Sequence, residues 1–283
     1  MIIFDDKIDL IAFVDGLKFK QKTLGFVPTM GALHEGHSSL ITKGLEENNV
    51  VVVSIFVNPT QFDNTEDLVK YPRTLDSDVA LLENVSEDKI VVYAPTVEDI
   101  YGDEVSSISF DFDGLEYEME GKFRDGHFDG VGTIIKRLFE IIRPDRAYFG
   151  DKDFQQLMIV KKLVEKLGLP VTVVGCDIFR AADGLAMSSR NMRLKPEHRA
   201  AAPFIFQTLK TAKEKFGTKS AKHVREWVIE QFERHHLLEL EYFIIADAKT
   251  LQTIKRKSNQ KSYRAFIAVY ASDIRLIDNI ALN

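Results

Sequence analysis

The densest chemistry in this chain lies in the run Pro28-Thr29-Met30-Gly31-Ala32-Leu33-His34-Glu35-Gly36-His37. Its two imidazoles, His34 and His37, stand at a spacing that shares one face of a helical turn. An apolar stretch at 24–27 precedes the run, and a helix-forming stretch at 38–47 follows it. This reads as a strand that empties into a loop and then a helix start, where backbone amides point outward and favour an anion. Imidazole N–H groups and main-chain amides together suit a nucleotide phosphate. They would stabilise the charge that builds on non-bridging oxygens when a carboxylate attacks an α-phosphate. Gly31 and Gly36 let the backbone approach such a ligand. Paired histidines can also be half of a metal site, but no cysteine lies nearby and the H-E-x-x-H pattern is absent, which disfavours zinc. The expectation is binding of ATP or a relative.

Three further groups follow strand-like stretches. The β-branched run at 50–57 ends in Asn58-Pro59-Thr60-Gln61-Phe62. Amide side chains both donate and accept, which suits the hydroxyls and carboxylate of a small substrate; Asn-Pro is also a common turn initiator. A second glutamine site is Phe149-Gly150-Asp151-Lys152-Asp153-Phe154-Gln155-Gln156. There Gly150 permits a tight exit from a strand, and Lys152 is a point charge for a phosphate. Asp151 reads as part of a helix-capping loop, Asp153 caps the helix or accepts a ribose hydroxyl, and Gln156 lies one turn into that helix. The third group, Gly184-Leu185-Ala186-Met187-Ser188-Ser189-Arg190-Asn191, offers two hydroxyls and an arginine fork matched to phosphate oxygens. It reads either as a hinge clamp that closes over ATP or as a polar linker. Asp76 and Asp78 complement a helix dipole, and Asp78 is the candidate to hold magnesium through water. The segment 121–130 adds a cation and a third histidine, His127, near another helix start. His198, His223, His235 and His236 read as surface residues.

The elements that must position these groups alternate along the chain. Strand-like stretches at 24–27, 50–57, 89–93, 146–149 and 171–174 are interleaved with helical spacing at 38–47, 75–82, 131–142 and 154–167. That pattern predicts an α/β fold with a mostly parallel sheet, in which ligands bind at the carboxyl ends of strands. Alternating residues at 107–112 suggest an antiparallel excursion. Beyond about 180 the texture changes to amphipathic helices at 196–216 and 220–236, then strands at 239–247, 263–270 and 275–280, a smaller α+β unit. The expected domains are 1–180, a Rossmann-like unit binding ATP and the carboxylate substrate, and 181–283, a lid.

Composition narrows the function. The 283 residues are 45% hydrophobic and 28% charged, ordinary for a globular protein, and the net charge of −6 argues against broad binding to nucleic acid. The basic stretch 255–261 reads as a solvated turn between strands. A single cysteine, Cys176, excludes an internal disulfide; it reads as a small buried hydrophobe in a reducing, cytoplasmic protein. The first residues lack a basic, apolar leader pattern, and the longest apolar run is far short of the roughly 20 residues of a membrane helix. Neither G-x-x-x-x-G-K-[ST] nor G-x-G-x-x-G occurs, and no serine or cysteine nucleophile motif is present.

In order and spacing, the motifs PTMGALHEGH at 28–37, FVNPTQF at 56–62, YPRT at 71–74, GHFDGV at 126–131, RPDRAYFGDKDFQQ at 143–156 and DGLAMSSRN at 183–191 resemble the pantothenate synthetase (pantoate–β-alanine ligase) family. The resemblance implies a nucleotidyltransferase-type Rossmann domain of the HxGH kind with a small carboxyl-terminal domain, magnesium, and a homodimer. It also implies two steps: pantoate attacks ATP to form pantoyl adenylate and pyrophosphate, and β-alanine then displaces AMP to give pantothenate. By motif position, Met30, Gly31, Ala32, Leu33, His34, Glu35, Gly36 and His37 contact ATP, as do Gly150, Asp151, Lys152, Asp153, Met187, Ser188, Ser189 and Arg190. Phe179 stands where the family uses backbone atoms for adenine. His37 matches the family's proton donor, although stabilisation of phosphate charge is expected to matter more. His34, Lys152 and Arg190 complete the expected catalytic group. Gln61 and Gln156 match the pantoate holders, with Gln61 also near β-alanine; Asn58 and Met30 join them. Asp125 stands where the family commonly has proline, so that loop is expected to be less rigid.

Two other readings fit the histidine element alone. One is a nucleotidyltransferase acting on a phosphate or an alcohol, for which arginine or lysine would be expected at the positions of Gln61 and Gln156. The other is a nucleotide-sensing module without turnover. A tRNA-charging role is disfavoured by the net charge.

Overall fold

An apolar run such as Val50–Ile55 needs cover on both faces, and it finds that cover in the middle of a six-stranded parallel sheet. The computed structural model describes residues 1–62 and 65–283. The strands of this sheet are β1 (Ile2–Phe4), β2 (Leu24–Thr29), β3 (Val50–Ile55), β4 (Ile90–Tyr93), β5 (Arg146–Gly150) and β6 (Thr172–Cys176), in the order β1-β4-β3-β2-β5-β6. The helices of this part are α1 (Lys7–Phe19), α2 (Glu35–Glu47), α3 (Thr65–Lys70), α4 (Leu75–Val85), α5 (Val97–Tyr101), α6 (His127–Ile142) and α7 (Phe154–Leu167). From β2 the chain steps to β3 and β4 on one side, while β5 and β6 extend the sheet on the other. The order therefore reverses between β2 and β5, and a parallel sheet offers its crevice at the carboxyl ends of such a pair. The histidine loop leaves the end of β2, and Asp151 leaves the end of β5.

The chain separates into two compact units. The first comprises Met1–Asp151 and Gln155–Asp177; the second comprises Lys152–Phe154 and Ile178–Asn283. In the first, Val27, Ile41, Val51, Val53, Leu82 and Tyr148 share one core cluster. The phenol of Tyr148 accepts from Asn48 Nδ2 at 2.7 Å and donates to Glu47 Oε2 at 2.8 Å. Burial above all, and then the Glu47 carboxylate, raise its pKa, so it stays protonated and keeps donating.

In the second unit the strands β7 (Glu239–Asp247), β8 (Tyr263–Ala271) and β9 (Ile274–Ala281) form an antiparallel sheet. The helices α8 (Pro196–Ala201), α9 (Phe204–Thr218) and α10 (Ala221–Glu233) accompany it. Leu209, Ala212, Val224, Val228, Ala265 and Val269 are among its core residues. Among the described residues no helix is long and apolar enough to cross a membrane.

Four local expectations change. The single helix expected over 196–216 is two, because Pro203 lacks an N–H and breaks the hydrogen-bond ladder between α8 and α9. The stretch 107–112 pairs with no strand: Ile108 N donates to Thr133 Oγ1 at 2.8 Å and Phe110 N to Asp129 Oδ1 at 2.9 Å, so side chains of α6 take its donors. His198 and His235 are half-buried and not fully exposed. The His198 side chain is only 12% exposed, and the His235 ring lies 4.8 Å from that of Phe204, where burial lowers its pKa. Cys176 is half-buried, and burial pushes its thiol up to about 11, with the Asp151 carboxylate adding to the effect.

The Tyr148 hydroxyl predicts a specific cost. Tyr148→Phe removes an acceptor from Asn48 and a donor from Glu47 without changing the ring. Urea denaturation should show a loss of about 1–2 kcal/mol.

Candidate active site

His34 is the N-cap of α2 and His37 lies in its first turn. The rings are tilted by 35° with centroids 4.1 Å apart. Gly36 N donates to His34 Nδ1 at 3.1 Å, and His34 N donates to His37 Nδ1 at 3.3 Å. Each Nδ1 is therefore an acceptor, and the hydrogen of each neutral ring sits on Nε2. The two histidines cap their own helix through Nδ1 and carry their hydrogen on Nε2.

The backbone amides, by contrast, do not form the anion grip the sequence suggested. Gly31 N donates to Thr29 Oγ1 at 3.2 Å, Ala32 N to Asp78 Oδ2 at 3.0 Å and Leu33 N to Asp78 Oδ1 at 2.7 Å. Together with His34 N and Gly36 N, five amides of this loop are spent inside the protein. The imidazole Nε2–H groups are donors that these five contacts do not use.

Asp78 explains the loop's shape. Gly31 and Ala32 both lie in the left-handed region, at φ 80° and 50°. Successive amides then converge on one point, a concavity suited to an anion. The Asp78 carboxylate fills it, is 2% exposed, and also accepts from Thr74 Oγ1 at 3.3 Å. Asp78 is therefore a clamp on the histidine loop and not the expected magnesium ligand. Among the described residues no group of three or more histidine, cysteine or carboxylate side chains is arranged to hold a metal.

The second group assembles around Asn58, in the loop after β3. Its Nδ2 donates to Gln61 Oε1 and to the Gly130 carbonyl, each at 3.2 Å. Its Oδ1 accepts from Tyr101 Oη at 2.5 Å and from Thr60 Oγ1 at 3.2 Å. With both ends satisfied and only 1% exposure, Asn58 does not present its amide to a substrate; it holds Gln61. Burial raises the Tyr101 pKa, an effect the Thr60 and Asn58 hydrogen bonds and Arg137 oppose, so the phenol remains a donor. Gln61 Nε2 reaches Met30 Sδ at 2.9 Å, which joins the loop after β3 to the loop after β2. Gln156 is half-buried in the first turn of α7. Its neighbour Gln155 is buried, accepting from Glu120 N at 3.1 Å and donating to the Leu115 and Glu118 carbonyls at 2.8 and 2.7 Å. Neither Tyr101 nor Gln155 was singled out from the sequence. Tyr101 lies in no motif, and Gln155 is indistinguishable by type from the glutamine beside it.

The remaining candidates lie in the second unit. Lys152 is held at its carbonyl by Asn279 Nδ2 at 2.9 Å, and its ammonium is 3.7 Å from Asp153. Phe154 packs on Phe266 with centroids 6.0 Å apart. Met187 N donates to the Phe179 carbonyl at 3.0 Å, and Arg180 bridges to Ala186, so 179–187 is a tight reversal. Ser188 Oγ caps the 3-10 turn Ser189–Arg193 by accepting from Arg190 N at 3.3 Å. Gly150 and Asp151 belong to the first unit.

The clamp yields a prediction. Asp78→Asn replaces an acceptor with an N–H donor facing a backbone amide. It should lower stability by about 2–4 kcal/mol in urea and reduce turnover of ATP. Wild-type stability with full turnover would contradict the assignment.

The family model for pantoate-beta-alanine ligase matches residues 3–281. A pantothenate synthetase of Flavobacterium psychrophilum is 58% identical over 282 residues, covering 100% of both chains. The crystal structure of pantothenate synthetase from Thermus thermophilus superposes with a TM-score of 0.91 at 37% identity, covering 100% of this chain and 99% of that one. A pantoate-beta-alanine ligase from Francisella tularensis, solved with Beta-gamma ATP and β-alanine, gives a TM-score of 0.77 at 34% identity, over 100% and 98% of the two chains. In sequence and in fold, the chain belongs to the pantoate–β-alanine ligase family of enzymes.

Proposed function

We propose that this enzyme condenses pantoate with β-alanine through a pantoyl-adenylate intermediate. In the first step a pantoate carboxylate oxygen bonds to the α-phosphorus of ATP as the bond to pyrophosphate breaks. In the second the β-alanine nitrogen bonds to the pantoyl carbonyl carbon, AMP leaves, and the amine gives up a proton. A carboxylate is a poor electrophile, and adenylation converts one of its oxygens into a leaving group. The mixed anhydride must then be kept from water until the amine arrives.

The observation that carries this reading is the 2.9 Å contact from Gln61 Nε2 to Met30 Sδ. It sets a neutral amide beside the loop that bears the imidazole donors. A neutral amide can bind pantoate's carboxylate and hydroxyls without attacking an acyl phosphate. His34 and His37 supply Nε2–H groups to the α-phosphate as charge develops there. Gln156 joins Gln61 in holding pantoate, and Met30 lines that subsite. Gly150, Asp151, Lys152, Asp153, Phe179, Met187, Ser188, Ser189 and Arg190 serve ATP, with Lys152 and Arg190 as its cations. Residues 1–180 form the ATP and pantoate domain and 181–283 its lid, in a cytoplasmic homodimer. The relative from Francisella, solved with Beta-gamma ATP and β-alanine, supports both ligands. Magnesium would meet no cage of carboxylates among the described residues, and when bound it would neutralise triphosphate charge. A cation of this class binds triphosphate oxygens and water.

The deciding measurement mixes protein, ATP, magnesium and pantoate and follows AMP. Release that requires β-alanine supports the ligase; transfer of AMP to a phosphate or alcohol, or no turnover, rejects it. His37→Ala should slow pyrophosphate release by about a hundredfold or more, the size of a lost oxyanion-type contact. Lys152→Ala should impair the ATP half-reaction more than the β-alanine half-reaction.

A further inference from the structure

His127 takes no part in the steps above, yet it is 7% exposed and faces the backbone of Gln61. Its Nδ1 lies 2.8 Å from the Gln61 carbonyl oxygen, and its Nε2 lies 3.4 Å from Arg124 Nη1. A guanidinium has no lone pair, so Nε2 accepts and the ring hydrogen sits on Nδ1, where it donates to Gln61. Arg124 Nη2 donates to the same carbonyl oxygen at 3.2 Å. One carbonyl is thus held by two donors, and one of those donors also sets the tautomer of the other.

The contact depends on how closely α6 approaches the 3-10 turn Pro59–Gln61. A Cβ on Gly130 would stand 2.2 Å from the Thr60 carbonyl oxygen, so no larger residue lets the two backbones meet. Asn58 Nδ2 fastens the same junction by donating to the Gly130 carbonyl at 3.2 Å. The turn is therefore pinned by its backbone to the start of α6, and the direction of the Gln61 side chain is decided there.

We propose that His127, oriented by Arg124, is a positioning residue that aims the Gln61 amide at pantoate. The proposal deepens the functional reading above and rests on it. Asp125 lies between the two pinning residues, so the pair does not need a rigid proline at that position.

Steady-state kinetics on the full chain test it, with pantoate and ATP varied in turn. Wild type, His127→Ala, His127→Asn and Arg124→Ala are compared, with folding checked by circular dichroism. An asparagine Nδ2 occupies nearly the place of the histidine Nδ1 and keeps a donor for the carbonyl. His127→Ala should raise the KM for pantoate about tenfold, the worth of one lost hydrogen bond, and leave the KM for ATP within about twofold. His127→Asn should recover most of that loss, and Arg124→Ala should show a smaller rise confined to pantoate. A wild type without β-alanine-dependent AMP release would fail the functional reading itself. An active wild type overturns the positioning role if His127→Ala leaves the pantoate KM unchanged, raises both KM values alike, or is not rescued by asparagine. If His127→Ala does not fold, Arg124→Ala decides, and an unchanged pantoate KM overturns the proposal.

Discussion

Everything at the candidate site depends on the grip of the Asp78 carboxylate on the Ala32 and Leu33 amides. Two left-handed residues in succession are an unfavourable backbone, tolerated only where the surroundings hold it. A buried carboxylate is equally unfavourable unless its oxygens are satisfied. Each solves the other's problem. Once the turn is set, the chain enters α2 with His34 at the cap, and its imidazole can close back on Gly36. The ring tautomers, and so the donors the site can offer, follow from that geometry.

The same economy appears around Gln61, with neutral groups. Asn58 is buried with both amide ends bonded, and it fixes Gln61 from one side while α6 fixes the backbone from the other. A buried polar hub of this kind is favourable only when every member is satisfied. The charged groups at this hub act on its backbone and its ring: Arg124 donates to the Gln61 carbonyl oxygen at 3.2 Å, and Arg137 lies 4.8 Å above the Tyr101 ring. A neutral wall suits the acyl adenylate proposed above, since a nucleophilic side chain would intercept such a species.

Much of the fold was legible in the chain. Continuous apolar runs such as Val50–Ile55 have one stable home, a strand covered on both faces, and 3.6-residue spacing marked most of the helices. The failures have local causes. Residues 107–112 have strand periodicity, but their donors go to Thr133 and Asp129, a choice made by a helix that begins some twenty residues later. The short β1 depends on β4 for its partners and carries little pattern of its own. Pro203 was visible as a breaker and should have divided the long helix.

Residue types by themselves suggested the candidate chemistry: two imidazoles, neutral amides, a lysine and an arginine, each at the end of a strand or the start of a helix. Motif spacing determined the family. The tertiary structure decided which of these groups face outward and which are spent holding the others. Asp78 and Asn58 have side chains suited to ligands, and only their burial against partners distant in the sequence makes them supports. The amides of Gly31–Leu33 changed role for the same reason. A sequence names the donors and acceptors a chain carries, whereas their pairing depends on which segments the packed core brings within about 3 Å of one another.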